Sequence, residues 1–383
     1  MHICFITSEY PKKGFAHGGL GSFVATLSKN LIKQGVKVSV VGINYINNTE
    51  FSIENGINIY RLKQKKIKGL TWLLNTRSIN KKIKELHSEE PIDIIESAEL
   101  GLAFLNKIKR VNYVIRLHGG HHFFSEAENR KINWWKSFQE KKSFKKADGF
   151  IGVSNYVKKH TASYLSYNNK PVVVIPSPVD MDVFMPKPKI EAKQNSLLFA
   201  GTVCEKKGIS YLLKALPKVT EKFPDVKLNV YGRDWKFPNG DSYIDYLKNN
   251  ILKNFPNWEK YVFFHGVIPY ELLALKYAES EVCVFPSLME TQGLVAPEAM
   301  AMNKLVVFSK CGPGSETIKH KSTGLLCNPY DVDDISEQII WALSHKKDSE
   351  SIAEKGRLFV LNNFDEKTVT KRNIDFYNHI INN

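Results

Sequence analysis

A chain of 383 residues is too long for one ordinary core and suits two domains of about 190 residues each. Hydrophobic content of 43% and charged content of 24% are those of a soluble globular protein, and no apolar run approaches the ~18 residues a membrane-spanning helix needs. The net charge of +15 lies wholly in the first half: residues 1–195 hold 31 Lys and Arg against 16 Asp and Glu, whereas residues 196–383 hold 23 of each.

The opening run, MHICFITSEY, reads as a first strand; it is too short and lacks the basic flank of a signal peptide, so a cytoplasmic location is expected. The loop after it, HGGLGS (17–22), leads into a helix over 20–35, and Gly18 and Gly19 let the backbone approach a ligand closely. Strands are expected at 37–43, 57–62, 93–96, 112–119, 149–154 and 171–176. Helices are expected near 71–88, 99–109, 133–146 and 155–166. RLHGG (116–120) puts His118 and Gly119 at the C-terminal end of a strand. His121 and His122 follow with no nearby carboxylate or Cys to complete a ligand set, so no metal is expected.

Two stretches concentrate the charge. Residues 61–84 carry nine basic side chains and no acidic one, and KINWWKSFQEKKSFKK (131–146) interleaves six lysines with Trp134, Trp135, Phe138 and Phe144. That mixture suits an anionic membrane surface or a polyanionic acceptor, and a solvated basic face is the alternative. No recognition motif accompanies it, so nucleic acid is not an expected partner.

Periodicity breaks at 177–195, read as a linker between domains at 1–180 and 196–365, with a last helix over 366–381 crossing back to the first domain. The second domain repeats the alternation: strands at 196–202, 226–232, 262–266, 281–286, 304–309 and 323–327, with helices between them. The expected class is α/β, two Rossmann-like doubly wound domains facing a cleft. Five scattered cysteines without C-x-x-C spacing read as reduced core thiols.

The most informative stretch is FPSLMETQGLVAPEAMAM (285–302). A strand ends at Pro286, a loop carries Glu290 and Gln292, and a small-residue helix over 293–302 starts at Gly293 and contains Glu298. Free backbone N–H groups at such a helix start suit anions, and carboxylates beside them accept hydrogen bonds from sugar hydroxyls. Glu290 and Glu298, with seven residues between them, resemble the E-x7-E signature of retaining glycosyltransferases of the family-4 type, whose architecture is GT-B. The resemblance spans about residues 2–345 and is most specific from 196 to 330.

It implies a nucleotide-sugar donor, with Glu290 at the sugar, Glu298 at the ribose, and Gly293 and Leu294 as backbone donors. Gln292 stands where many members have Phe. Gly18 and Gly19 match the family's N-domain glycine loop, and His118 with Gly119 match its sugar-contacting position. In AGTVCEKKG (200–208), Lys207 and Gly208 match the diphosphate clamp, but Thr202 stands at the usual arginine. Arg233, in VYGRD, is a candidate to supply that cation. GPGSE (312–316) and TGLL (323–326) also resemble the family.

The implied activity is metal-free hexosyl transfer to a glycan or lipid-linked glycan, as in lipopolysaccharide or capsule assembly, by an enzyme peripheral to the inner face of the cell membrane. A nucleotide-sugar 2-epimerase and a non-catalytic surface-binding scaffold remain open alternatives at this stage.

Overall fold

The computed structural model describes residues 1–15, 18–128 and 130–383, so His17 of the HGGLGS loop lies outside the described residues. The chain begins β1 (His2–Ile6), α1 (Gly19–Lys33), β2 (Lys37–Ile43), β3 (Glu50–Glu54), β4 (Ile57–Leu62), α2 (Thr71–Glu89) and β5 (Ile94–Ala98). It continues β6 (Asn112–Leu117), α3 (His121–Ala127), α4 (Trp134–Lys146), β7 (Gly149–Gly152), α5 (Asn155–Ala162) and β8 (Val172–Val174). The eight strands form one sheet in the order β3-β4-β2-β1-β5-β6-β7-β8. Only β3 runs antiparallel, against β4. The inner strands read as apolar runs because helices cover both faces. On α1, Phe23, Val24, Leu27 and Leu31 form the buried stripe that holds it to this sheet.

The next series is β9 (Ser196–Ala200), α6 (Ile209–Lys222), β10 (Lys227–Tyr231), α7 (Tyr243–Asn250), β11 (Val262–Gly266), α8 (Tyr270–Glu279) and β12 (Val282–Phe285). Then come α9 (Val295–Ala301), β13 (Leu305–Ser309), α10 (Gly314–Thr317), β14 (Leu325–Cys327), α11 (Val332–Ser344) and α12 (Lys346–Asn363). All six strands are parallel, in the order β11-β10-β9-β12-β13-β14. The order reverses between β9 and β12, the switch point at which doubly wound sheets bind ligands.

The chain divides into two compact units, residues 1–178 with 366–383, and residues 179–365. The last helix, α13 (Glu366–Asn382), belongs to the first unit, where Val369, Phe376, Tyr377 and Ile380 enter the core with α1.

Three local expectations change. Residues 179–195, read as linker, belong to the second unit: Val179 and Phe184 are buried in its core, and the Val179 amide bonds the Phe364 carbonyl at 2.9 Å. The expected helix at 99–109 is a series of turns. Its carbonyls are taken by side chains from neighbouring helices: Asn80 bonds the Phe104 carbonyl at 3.0 Å and Lys146 that of Leu102 at 2.8 Å. The segment therefore needs no i to i−4 ladder. Finally, β3 is a strand that the charged, half-exposed EFSIE pattern did not announce.

Candidate functional site

The geometry of the second unit begins with backbone. Strands β9 and β12 pair only at Leu197–Val282 and Leu198–Cys283, so they part before their C-terminal ends, at the switch point. The β9 loop turns through Gly208, at φ +70°, where any Cβ would run into the Pro286 carbonyl of the β12 loop. The amide of Leu288 donates to the Lys206 carbonyl at 2.9 Å and fastens the loops together.

Across this seam Lys207 Nζ lies 2.5 Å from Glu290 Oε1, and Ser287 Oγ donates to the same oxygen at 2.9 Å. A charge-assisted bond thus joins two groups 83 residues apart in sequence. Gly293 follows at φ +79°, where an added Cβ would lie 2.6 Å from the Phe308 ring, so glycine suits the turn. Among the described residues no protein acceptor takes the amides of Gly293 or Leu294, which open the seven-residue helix α9. The Gln292 side chain is buried under this turn. Arg233 lies beside the β9 loop: its carbonyl accepts from the Val203 amide at 2.8 Å, and its side chain is exposed.

Glu298 has a different setting. It is 5% exposed, and its two oxygens accept from the hydroxyls of Tyr270 (3.1 Å) and Tyr277 (3.4 Å). Burial pushes its pKa up to about 8, and the two tyrosine hydrogen bonds partly offset the rise. Sequence gave no hint of these partners on α8, 28 and 21 residues away.

In the first unit, α1 and the end of β6 meet at a cavity of about 10 Å³, lined by Leu20, Phe23, Val24, Glu96, Arg116 and His118 among others. That is room for about one water. The His118 ring packs on Phe23 with centroids 5.1 Å apart, and its Nε2 is buried without a hydrogen-bond partner. Burial first, then the Arg116 charge, lower its pKa to about 3, so it is a neutral imidazole. Gly19 starts α1 and Gly18 caps it, its carbonyl accepting from Gly21 at 3.1 Å. The structure thus gathers Gly18, Gly19, His118 and Gly119 in one unit. Lys207, Glu290, Gln292, Gly293 and Leu294 gather in the other, with Arg233 next to them and Glu298 one helical turn deeper.

The expectation that no carboxylate stands near His121 and His122 is overturned. Glu140, from α4, is fully buried, pairs with His122 Nδ1 and accepts from the amides of both histidines. Ser137 holds the other His122 nitrogen at 3.0 Å, and His121 Nε2 accepts from the Asn133 amide at 2.8 Å. The histidine pair is engaged in holding α3 to α4. Glu99 also escaped notice: it is buried just after β5, and burial lifts it to about 8 against backbone hydrogen bonds that include Gly119 and His118. Only the short ESAE run after a strand could have flagged it.

Known proteins supply the class. Residues 180–359 match the family model described as glycosyl transferases group 1, and residues 17–183 match glycosyltransferase family 4. Fold and matches together define a GT-B-type, family-4-like glycosyltransferase, and the chain belongs to that class of transferases. It is 27% identical to an uncharacterized glycosyltransferase of Methanocaldococcus jannaschii, over 98% of both chains. It is also 22% identical to the GDP-mannose-dependent alpha-(1-6)-phosphatidylinositol monomannoside mannosyltransferase of Mycolicibacterium smegmatis, over 96% of this chain and 95% of that one. The same fold occurs in the sucrose-phosphate synthase of Thermosynechococcus elongatus, with a TM-score of 0.85, 20% identity and coverage of 99% and 98%. Anabaena HepE, solved with UDP and glucose, gives 0.77, 17%, 99% and 100%.

Proposed function

We propose that the chain is a retaining hexosyltransferase that moves a sugar from a nucleotide-diphosphate donor to a glycan or lipid-linked glycan in cell-surface polysaccharide assembly. The carrying observation is the Lys207–Glu290 pair at the switch point, beside the unclaimed amides of Gly293 and Leu294. In this reading the diphosphate takes the Lys207 ammonium and those amides, where the leaving group gains negative charge. Glu290, released from the lysine, accepts from sugar hydroxyls, and Glu298, oriented by Tyr270 and Tyr277, serves the ribose. Arg233 supplies the second cation in place of Thr202. The neutral His118 offers its unpaired nitrogen to a sugar hydroxyl, while Gly18, Gly19 and Gly119 allow close backbone approach. Attack from the front face of an ion pair keeps the anomeric configuration without a covalent carboxylate. No metal takes part in the reading.

The donor class is supported by two similar proteins, one GDP-mannose-dependent and one solved with UDP-glucose. The test is a thermal-shift screen with UDP-, GDP-, ADP- and CDP-sugars, with and without EDTA. A donor at a hundredfold excess over Kd stabilises the fold by ~2.7 kcal/mol, so the correct nucleotide stands out. Lys207→Ala, Arg233→Ala and Glu298→Ala are each expected to reduce the shift, and EDTA to leave it unchanged. No shift with any of the four would sink the donor reading. An Arg233→Ala shift equal to the parent's, with Lys207→Ala reduced, would remove Arg233 from the site.

A further inference from the structure

The start of α2 and the start of α4 carry an apolar surface that the donor site does not use. Of the 19 residues in α2, only Ile83 and Leu86 are buried, both in its second half. Trp72, in its first turn, packs on Phe104 (4.6 Å between centroids) and on Trp135 of α4 (5.5 Å). Trp135 in turn meets Trp134 and Phe138, each at 5.6 Å, and Lys142 Nζ lies 4.4 Å from the Phe104 centroid. Three chain segments therefore build one aromatic ledge. Its outer members remain in solvent: Trp134 is 75% exposed, Leu70 49%, Phe138 46% and Trp72 39%, with Ile67 and Ile132 exposed on the adjoining turns.

The segments that carry the ledge, 63–72 and 131–142, expose charge of one sign. Lys63, Lys65, Lys66 and Lys68 are exposed ahead of α2, and Lys131, Lys136, Lys141 and Lys142 are exposed on or before α4. The one acidic residue of α4, Glu140, is fully buried and held by the histidine pair. Both helices begin at the ledge, so their positive dipole ends add to the same potential. Indole rings and aliphatic side chains, on segments that also expose lysines, match the bilayer interface, where rings sit at headgroup level and lysines reach phosphates. A soluble polyanion would satisfy the lysines but would leave Leu70, Ile67, Ile132 and Phe138 in water.

We infer that this ledge, centred on Trp72, Trp134, Trp135 and Phe138, docks the first unit onto the surface of an anionic lipid bilayer. The inference rests on the proposed lipid-linked acceptor, which such docking would bring within reach. It is tested by co-sedimentation with vesicles of phosphatidylcholine alone or mixed with phosphatidylglycerol. The full chain should sediment with the anionic vesicles and be released as salt rises from about 0.1 to 1 M, where the Debye length shrinks from about 10 to 3 Å. The double variant Trp134→Ser, Phe138→Ser should lose at least tenfold in partitioning. The triple variant Lys65→Gln, Lys66→Gln, Lys68→Gln should lose about fivefold per lysine, roughly a hundredfold in all.

Equal binding to neutral and anionic vesicles, no binding, or unchanged binding by both variants would overturn the inference. So would retention on a soluble sulfated glycan without sedimentation, which would assign the face to a polyanion. The triple variant, altering only exposed side chains, carries the test if the double variant does not fold. Both variants should keep the parent's nucleotide-sugar thermal shift, so loss of docking with that shift intact is distinct from failure of the transferase reading.

Discussion

A carboxyl group buried away from water resists ionisation, and Glu298 is in that position even though two tyrosine hydroxyls donate to it. Its folded pKa of about 8 stands above the ordinary value of 4.5, so between those values the folded chain holds a proton that the unfolded chain has released. Stability from this group is therefore retained at low pH and falls as pH rises from about 4.5 to about 8, by on the order of a few kcal/mol in all. Glu298→Gln, which mimics the protonated form, should match the parent near pH 4.5 and exceed it in stability at pH 8. Urea unfolding at both pH values measures this. Equal differences at the two would show that Glu298 is ionised in the fold. Glu290 has a different neighbour, the Lys207 ammonium across the loop seam.

At the scale of elements, the β12–α9 connection is the part least able to change. A methyl group on Gly293 would lie 2.6 Å from the Phe308 ring, in a backbone conformation at φ +79° that alanine resists. Gly293→Ala is expected to cost about 1–3 kcal/mol and to weaken donor binding, since the same turn sets Glu290 and the helix-start amides. Gly19 has no atom within 4 Å of the position a Cβ would take, so Gly19→Ala should leave stability within about 0.5 kcal/mol. Chemical denaturation of the two variants gives the comparison, and equal losses would contradict it. The strand-loop-helix reading of 285–302 was legible because apolar run, glycine and small-residue helix follow one another locally. The partners of those residues were not: Tyr270 and Tyr277 reach Glu298 from α8, and Glu140 reaches His122 from α4, through packing that no local pattern encodes. The segment 99–109 differed from the expected helix for the same reason, because side chains of Asn80 and Lys146, from distant helices, take its carbonyls. The Lys207–Glu290 contact lies between: each residue stood out by motif, while their meeting depended on the order in which the strands assemble.

The whole chain shows why its last 18 residues matter to its first 178. Arg116, inside β6 and fully buried, is gripped by Glu96 of β5 through Nε (2.7 Å) and one terminal nitrogen (3.2 Å). Asn373 and Tyr377 of α13 join the set: Asn373 accepts from Arg116 at 2.5 Å, and Tyr377 donates to Glu96 at 2.6 Å, while Arg116 Nη1 is buried with no partner among the described residues. Removing one partner from a buried ion pair leaves an uncompensated charge and costs about 3–5 kcal/mol. Removing α13 would also uncover Val369, Phe376 and Ile380 contacts in the first unit's core. A chain ending at Asp365 should therefore lose the first unit's cooperative unfolding transition while the second unit, whose core draws on residues 179–365, keeps its own. The narrower substitution Tyr377→Phe removes one hydroxyl from the charged set and should lower the first unit's stability by about 1.5–3 kcal/mol. Calorimetry resolves the two transitions: if truncation left both intact, α13 would be an appendage, and the Arg116 cluster would hold without it.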